Sequence, residues 1–273
     1  SMKPGSVFVM CSTVDPNWSV ALEARLEAMG LQYVDAPISG GAAKAASGQM
    51  TMMTAGKPAA YAVAEPFLNA MAAKVYKLGD SAGAGSKVKI INQLLAGVHI
   101  AAAAEAMALG LREGVAPEAL YEVITHSAGN SWMFENRMAH VLKADYTPLS
   151  AVDIFVKDLG LVLDTARATK FPLPLSATAH QMFMQASTAG FGREDDSAVI
   201  KIFPGITLPQ AEIDKLIDAA VSDALAEQRA EMVKEHSHCY TVERHDADIA
   251  DLNARHATDK QPPYKQEYYP HHP

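Results

Sequence analysis

The hydrophobic period of this chain changes once, near residue 83, and that change restricts the folds open to it. Before it, short apolar runs alternate with helical ones. SVFVMCST, LQYVDAP, QMTMMTAG and KVYKLGD read as strands, and residues 17–29 and 58–71 as helices, the first stopping at Gly30. After it, strand-like runs vanish. Residues 87–113 form one very apolar helical pattern with Gly114 just past its end. Pro117 opens PEALYEVI, Asn130 or Ser131 caps WMFENRMAHVL, and SAVDIFVKDLGLVLDTARA is amphipathic. Pro172 and Pro174 break the chain before TAHQMFMQAST, and DDSAVIKIF reads as a last helix. Strand–helix–strand order followed by helices alone predicts an α/β layer over residues 1–82 and an all-α domain over 83–209.

Residues 210–273 differ from both. An amphipathic helix over 210–234 carries Ile213, Leu216, Ile217, Ala220, Val221 and Ala224 on one stripe. A polar segment follows, holding six of the ten histidines and ending in QPPYKQEYYPHHP.

Composition excludes several function classes. Apolar residues make up 49 %, enough for a real core. The net charge of −8, with no basic stripe, argues against a nucleic-acid surface. Two cysteines, Cys11 and Cys239, make no disulfide framework, which suits a reducing, cytoplasmic setting. The start SMKPGSVFVM has no signal-peptide pattern, and its Ser-Met reads as the remnant of a cleaved tag. His99 and Glu105 interrupt the most apolar stretch, so it reads as a buried helix rather than a membrane span.

Several residues could carry chemistry. DAPISGG (35–41) follows a strand. Its paired glycines either expose backbone N–H groups to a carboxylate, with Ser39 adding a hydroxyl, or make an ordinary turn. In GAGSKVKIINQ, Lys89, Asn92 and Gln93 share one helix face. A lysine in so apolar a helix either faces a site, where desolvation lowers its pKa, or snorkels from the first turn. Asp153 and Lys157 are spaced for a surface salt bridge, and Asp195 and Asp196 for capping. Trp132, Met133 and Phe134 fit a pocket wall or a core. His236, His238 and Cys239, with His245 and His256, match no zinc spacing.

The order of the motifs carries more than any one of them. CST at 11–13, DAPISGG, a G-x-G-x-x-x-K run leading into NQ, KDLGL and GFGREDDSAV succeed one another. This succession resembles the β-hydroxyacid dehydrogenase family, which includes 3-hydroxyisobutyrate, tartronate semialdehyde and L-threonate dehydrogenases. KIINQLLAGVHIAAAAEAMALG, AGNSWMFENRM and SAVDIFVKDLGLV look most like its L-threonate branch. The resemblance covers residues 3–209.

It implies part of a Rossmann-like domain followed by an all-α domain like the C-terminal one of 6-phosphogluconate dehydrogenase. It also implies NAD (or NADP) as cofactor and oxidation of a small hydroxy acid, such as L-threonate at C2. By position, Lys89 matches the general acid/base. Ser39, Gly40 and Gly41 match the loop that holds the substrate carboxylate, and Asn92 and Gln93 the amides beside it. Thr13, Lys157, Asp158 and Asp195 match cofactor-side positions. The family's assembly implies a homodimer or homotetramer. Two positions depart from the common pattern: Gln93 stands where many members have asparagine, and Met10 where many have aspartate. The family's first strand and G-x-G-x-x-G turn find no counterpart here. The resemblance thus implies that on the order of 80–100 residues of the cofactor domain lie ahead of this first strand. An alternative is a non-catalytic dimerisation or binding module of this family, against which the retained Lys89 counts.

Overall fold

The computed structural model describes residues 2–210 and 220–230. Its α/β part begins with β1 (Val7–Met10), which runs parallel to β2 (Gln32–Asp35) from Val7↔Gln32 to Met10↔Asp35. Helix α1 (Pro16–Glu27) makes the crossover. Asp15 caps it by accepting from Trp18 N at 2.8 Å, and Pro16 supplies the fixed φ of the first turn.

The next strand is interrupted rather than ended. β2 pairs antiparallel with β4 (Thr51–Gly56), and so does the two-residue β3 (Ile38–Ser39). The register runs unbroken from Val34↔Gly56 to Ser39↔Thr51, with Met53 N donating to Pro37 O at 2.9 Å. Pro37 has no N–H to give the ladder, which divides one long strand into two short ones. DAPISGG is therefore paired strand as far as Ser39. Gly40 and Gly41 then turn the chain with φ of 131° and 67° into a short helix, α2 (Gly41–Ala46). Neither β3 nor α2 is legible in the hydrophobic pattern. Helix α3 (Pro58–Met71) returns to β5 (Lys74–Lys77), parallel to β4.

The helical part is organised by α4 (Ala84–Arg112), about 44 Å long at 1.5 Å per residue. It packs on α6 (Trp132–Leu142), α7 (Val152–Ala168) and α8 (Pro174–Ala186), with α5 (Pro117–Thr125) beside it. Its small side chains permit this: Ala96, Ala101, Ala103, Ala104 and Ala108 are buried, and Gly97 lies under Leu159 and Phe155. Phe155 stacks on Phe183 with centroids 5.1 Å apart. α4 is long and apolar enough to cross a bilayer, but half of it is buried in this core.

Two expectations change and an alternative is settled. α8 begins at Pro174, which occupies its first turn instead of breaking the chain ahead of it. The last helix of the helical part is a 3-10 helix, Asp196–Ile202, preceded by a π turn at Ser187–Phe191. Ser131, not Asn130, caps α6 by accepting from Phe134 N.

Ser1–Ala211 form one compact unit and Glu212–Pro273 a second. In the second, residues 220–230 are helical and exposed, including Ala220, Val221 and Ala224 of the expected stripe. Ile213, Leu216, Ile217, His236, His238, Cys239, His245, His256 and the Pro/Tyr-rich end lie outside the described residues.

Candidate active site

The first turn of α4 is pressed against the sheet. Gly83 precedes it at φ 102°, and a side chain at Gly85 would run into the backbone oxygens of Met53 and Asp35. Asp35, at the end of β2 and fully buried, receives the turn. Its Oδ2 accepts from Gly83 N and Ser86 N, each at 2.9 Å, and its Oδ1 accepts from Ser86 Oγ at 2.6 Å. Glu23 of α1 accepts from Ala82 N at 3.3 Å, and burial raises its pKa.

One turn further along α4 the polar face seen in the sequence becomes a cluster. Lys89 and Gln93 are only 7 % and 8 % exposed. Lys89 Nζ donates to Gln93 Oε1 at 2.7 Å, and Asn92 Nδ2 to the same oxygen at 3.0 Å. Gln93 Nε2 donates to Asp158 Oδ2 at 2.6 Å, across from α4 to α7. Lys157 lies 2.7 Å from Asp158 Oδ1, as an ion pair without hydrogen-bond alignment, and its Nζ reaches Thr13 O at 3.2 Å. Thr13, Lys89, Asn92, Gln93, Lys157 and Asp158 thus form one chain of contacts linking the loop after β1, α4 and α7.

The electrostatics of this chain centre on Lys89. Burial lowers its pKa to about 8 from an ordinary 10.5; the Asp158 carboxylate opposes the shift and the Lys157 ammonium adds to it. An amine held there is largely free to give or take a proton near neutral pH. Asp158 is 1 % exposed and answers Gln93 on one oxygen and Lys157 on the other. Gln93 in turn has its oxygen filled by two donors and one N–H engaged. Its main contacts are with Lys89 and Asp158, not with open space.

Ser39, Gly40 and Gly41 lie four to six residues beyond Asp35, where the strand that β2 and β3 make together ends. Ser39 is half-buried in β3, and Gly40 packs against the side chain of Lys44. No bond joins them to Lys89 among the described residues; the link runs through Asp35 and Ser86.

Asp195 is not brought into the cluster. Its buried carboxylate accepts from Ser197 N, Ser197 Oγ and Leu149 N and caps the 3-10 helix, so its contacts are those of a cap rather than of a cofactor ligand. Asp196 forms a buried ion pair with Arg137 of α6. The expected Asp153–Lys157 bridge is not made: Asp153 accepts from Ser187 Oγ at 2.6 Å, while Lys157 turns to Asp158. The WMF triplet divides, with Phe134 in the core and Trp132 exposed beneath the ammonium of Lys44.

Asp35, Glu23 and Arg137 were not singled out from the sequence. Their partners lie far along the chain, and only a carboxylate closing a buried strand hinted at the first.

Comparison with known proteins gives the family. The family model for the NAD binding domain of 6-phosphogluconate dehydrogenase matches residues 1–79. The model for the NAD-binding of NADP-dependent 3-hydroxyisobutyrate dehydrogenase matches residues 83–203. An L-threonate dehydrogenase of Cupriavidus necator is 74 % identical over 209 residues, 77 % of this chain and 70 % of that protein. The crystal structure of a 3-hydroxyisobutyrate dehydrogenase from Salmonella typhimurium superposes with a TM-score of 0.72 at 61 % identity, over 74 % of this chain and 71 % of that one. The Mycobacterium tuberculosis 3-hydroxyisobutyrate dehydrogenase, solved with L-serine, gives 0.67 at 30 % identity, over 74 % and 72 %. With two matching family models in sequence order and a relative at this identity, the chain belongs to the 3-hydroxyisobutyrate dehydrogenase family of NAD-dependent hydroxyacid dehydrogenases.

Proposed function

We infer that the chain carries the acid/base and substrate-binding residues for oxidation of L-threonate at C2, with Lys89 as the general base. The observation that carries this reading is the burial of Lys89 against Gln93 and Asp158, which brings its amine to a pKa of about 8. A bound nicotinamide would supply the acceptor for the hydride of C2. The neutral amine of Lys89 takes the hydroxyl proton as that hydride departs, so that no alkoxide has to form first. Gln93, itself held by Asp158, fixes the direction of the lysine, and Asn92 adds an amide at the half-exposed edge. Ser39 and the N–H groups at Gly40 and Gly41 are suited to a carboxylate, because positive φ turns successive N–H groups toward one side.

The residues present fit the nicotinamide end of the cofactor. Parallel-sheet proteins bind nucleotides beyond the carboxyl ends of their strands. Thr13 follows β1 at such an end, where Lys157, 54 % exposed, leaves an ammonium available to polar cofactor groups. The name of the 74 % identical relative supports L-threonate as substrate.

The test follows absorbance at 340 nm with NAD, L-threonate and a panel of simpler hydroxy acids. Expected is an increase with L-threonate that Lys89→Ala abolishes, in this chain or in one preceded by a full glycine-rich cofactor segment. Near wild-type turnover in Lys89→Ala overturns the reading. A homodimer or homotetramer completes it, because α4 leaves Val88, Ile91, Leu95 and Leu109 exposed along one side.

A further inference from the structure

Asp35 is a fully buried charge that the mechanism above does not use. It terminates β2, four residues before Ser39 on a strand whose register with β4 never breaks. Its carboxylate takes Gly83 N, Ser86 N and Ser86 Oγ, and Ser86 stands three residues before Lys89 on α4. We propose that Asp35 is a positioning residue for the reaction: its carboxylate is the strut that fixes the Ser39–Gly41 loop and the Lys89 helix at one separation. The inference rests on the reading of Lys89 and of that loop given above.

The connection is short and rigid at every link. On one side lies paired strand with Ala36 and Pro37 buried. On the other lies less than one turn of helix. Gly85 removes the slack between them, because its bare Cα lets α4 rest on the backbone oxygens of Met53 and Asp35. Glu23, accepting from Ala82 N, holds the segment just ahead from a second direction. The group needed here is a carboxylate. Three donors converge on its two oxygens, two of them N–H groups at a helix start, whereas an amide offers one accepting oxygen and no charge and could meet the Ser86 hydroxyl only by donating to it. A lysine and an anion-binding loop held by separate elements need such a tie, since a displacement of about 1 Å in a reacting group costs on the order of a hundredfold in rate.

A helix cap that serves stability alone would behave differently from a strut. The test uses the full chain with Asp35→Asn, Ser86→Ala and, as a matched loss of a cap on another helix, Ser131→Ala. Each is treated with acetic anhydride across pH, and the acetylation midpoint of Lys89 is read by peptide mass spectrometry beside the melting temperature. The groups facing Lys89, Asp158 and Lys157, are unchanged throughout. Expected is a midpoint near 8 in the wild type, raised by a unit or more in Asp35→Asn as α4 loosens and water reaches the amine. Ser86→Ala shifts it less and in the same direction, and Ser131→Ala lowers the melting temperature without moving it. Should Asp35→Asn fail to fold, Ser86→Ala decides. Where turnover is measurable, kcat falls at least tenfold in Asp35→Asn while KM changes less. A midpoint near 8 that survives the variants overturns the strut alone. An ordinary lysine midpoint in the wild type overturns the reading of Lys89, and the strut with it.

Discussion

Lys89 is costly to fold and useful once folded, and the same burial causes both. Its folded pKa of about 8 lies below the ordinary 10.5, so between those values the unfolded chain binds more protons than the native one. Stability from this site therefore rises with pH across that window, and below pH 8 the buried ammonium costs about 3 kcal/mol. Lys89→Met removes that cost. It strands no partner, because Gln93 Oε1 keeps Asn92 and Asp158 keeps Gln93 and Lys157. The melting temperature of Lys89→Met should exceed that of the wild type by several degrees at pH 7, and the difference should close as pH approaches 10.5. Catalysis should share this pH direction but show the opposite side-chain preference, for lysine over methionine. Oxidation rate rises with pH through about 8, and Lys89→Arg, which cannot lose its proton, should fall by roughly 10²–10⁴ in kcat. Asp158→Asn should lower the Lys89 midpoint further, since Asp158 is the group that holds it up; an unchanged midpoint on titration would remove Asp158 from the site. At this scale the shared face of Lys89, Asn92 and Gln93 follows from helical spacing. Asp158 and Thr13 were reached only through family resemblance, because their bonds to that face cross from other elements.

Among elements, what was legible is what depends on local pattern. The ranges of α1, α3, α6 and α7 follow from apolar period, helped by a first-turn proline in α1 and α3, the Ser131 cap of α6 and Gly30 after α1. β3 escaped because two residues carry no period, and α2 because GAAKAA has no apolar face to detect. The contact between α4 and the sheet was equally hidden, since Gly85 signals close approach only once its neighbour is known. Gly85→Ala makes that contact measurable. In an exposed helix it would gain about 1 kcal/mol of propensity. Here the added methyl meets the carbonyl oxygens of Met53 and Asp35, backbone atoms that cannot rotate away. Gly97→Ala meets only the side-chain tips of Leu159 and Phe155, at 3.0 Å. Urea melts should therefore show Gly85→Ala destabilised by about 2–3 kcal/mol and Gly97→Ala by less. Equal losses would mean that α4 does not bear on the sheet as described.

At the scale of the whole molecule, α4 serves two surfaces. Its alanine-rich side is the axis of the helical core, while Val88 and Leu95, 40 % and 51 % exposed, and Ile91 and Leu109, 58 % and 61 %, face outward. Val88, Ile91 and Leu95 recur at three and four residues along one side, the pattern by which a helix seats against another helix, and Leu109 returns to that side about four turns further on. Isolated exposed leucines are ordinary on protein surfaces, but an aligned series on the most apolar helix of a chain with net charge −8 is suited to a contact with another helix. A second copy would cover it with an identical stripe about a twofold axis, which needs no other partner. Leu95→Lys with Leu109→Lys sets like charges on that stripe without touching a buried side chain. Light scattering should give the wild type at twice the chain mass or more, and the double variant at the mass of one chain. Because neither leucine belongs to the buried core, the isolated variant should retain its secondary structure by circular dichroism. A wild type that scatters as a single chain across micromolar concentrations would show that α4 does not join copies of this chain.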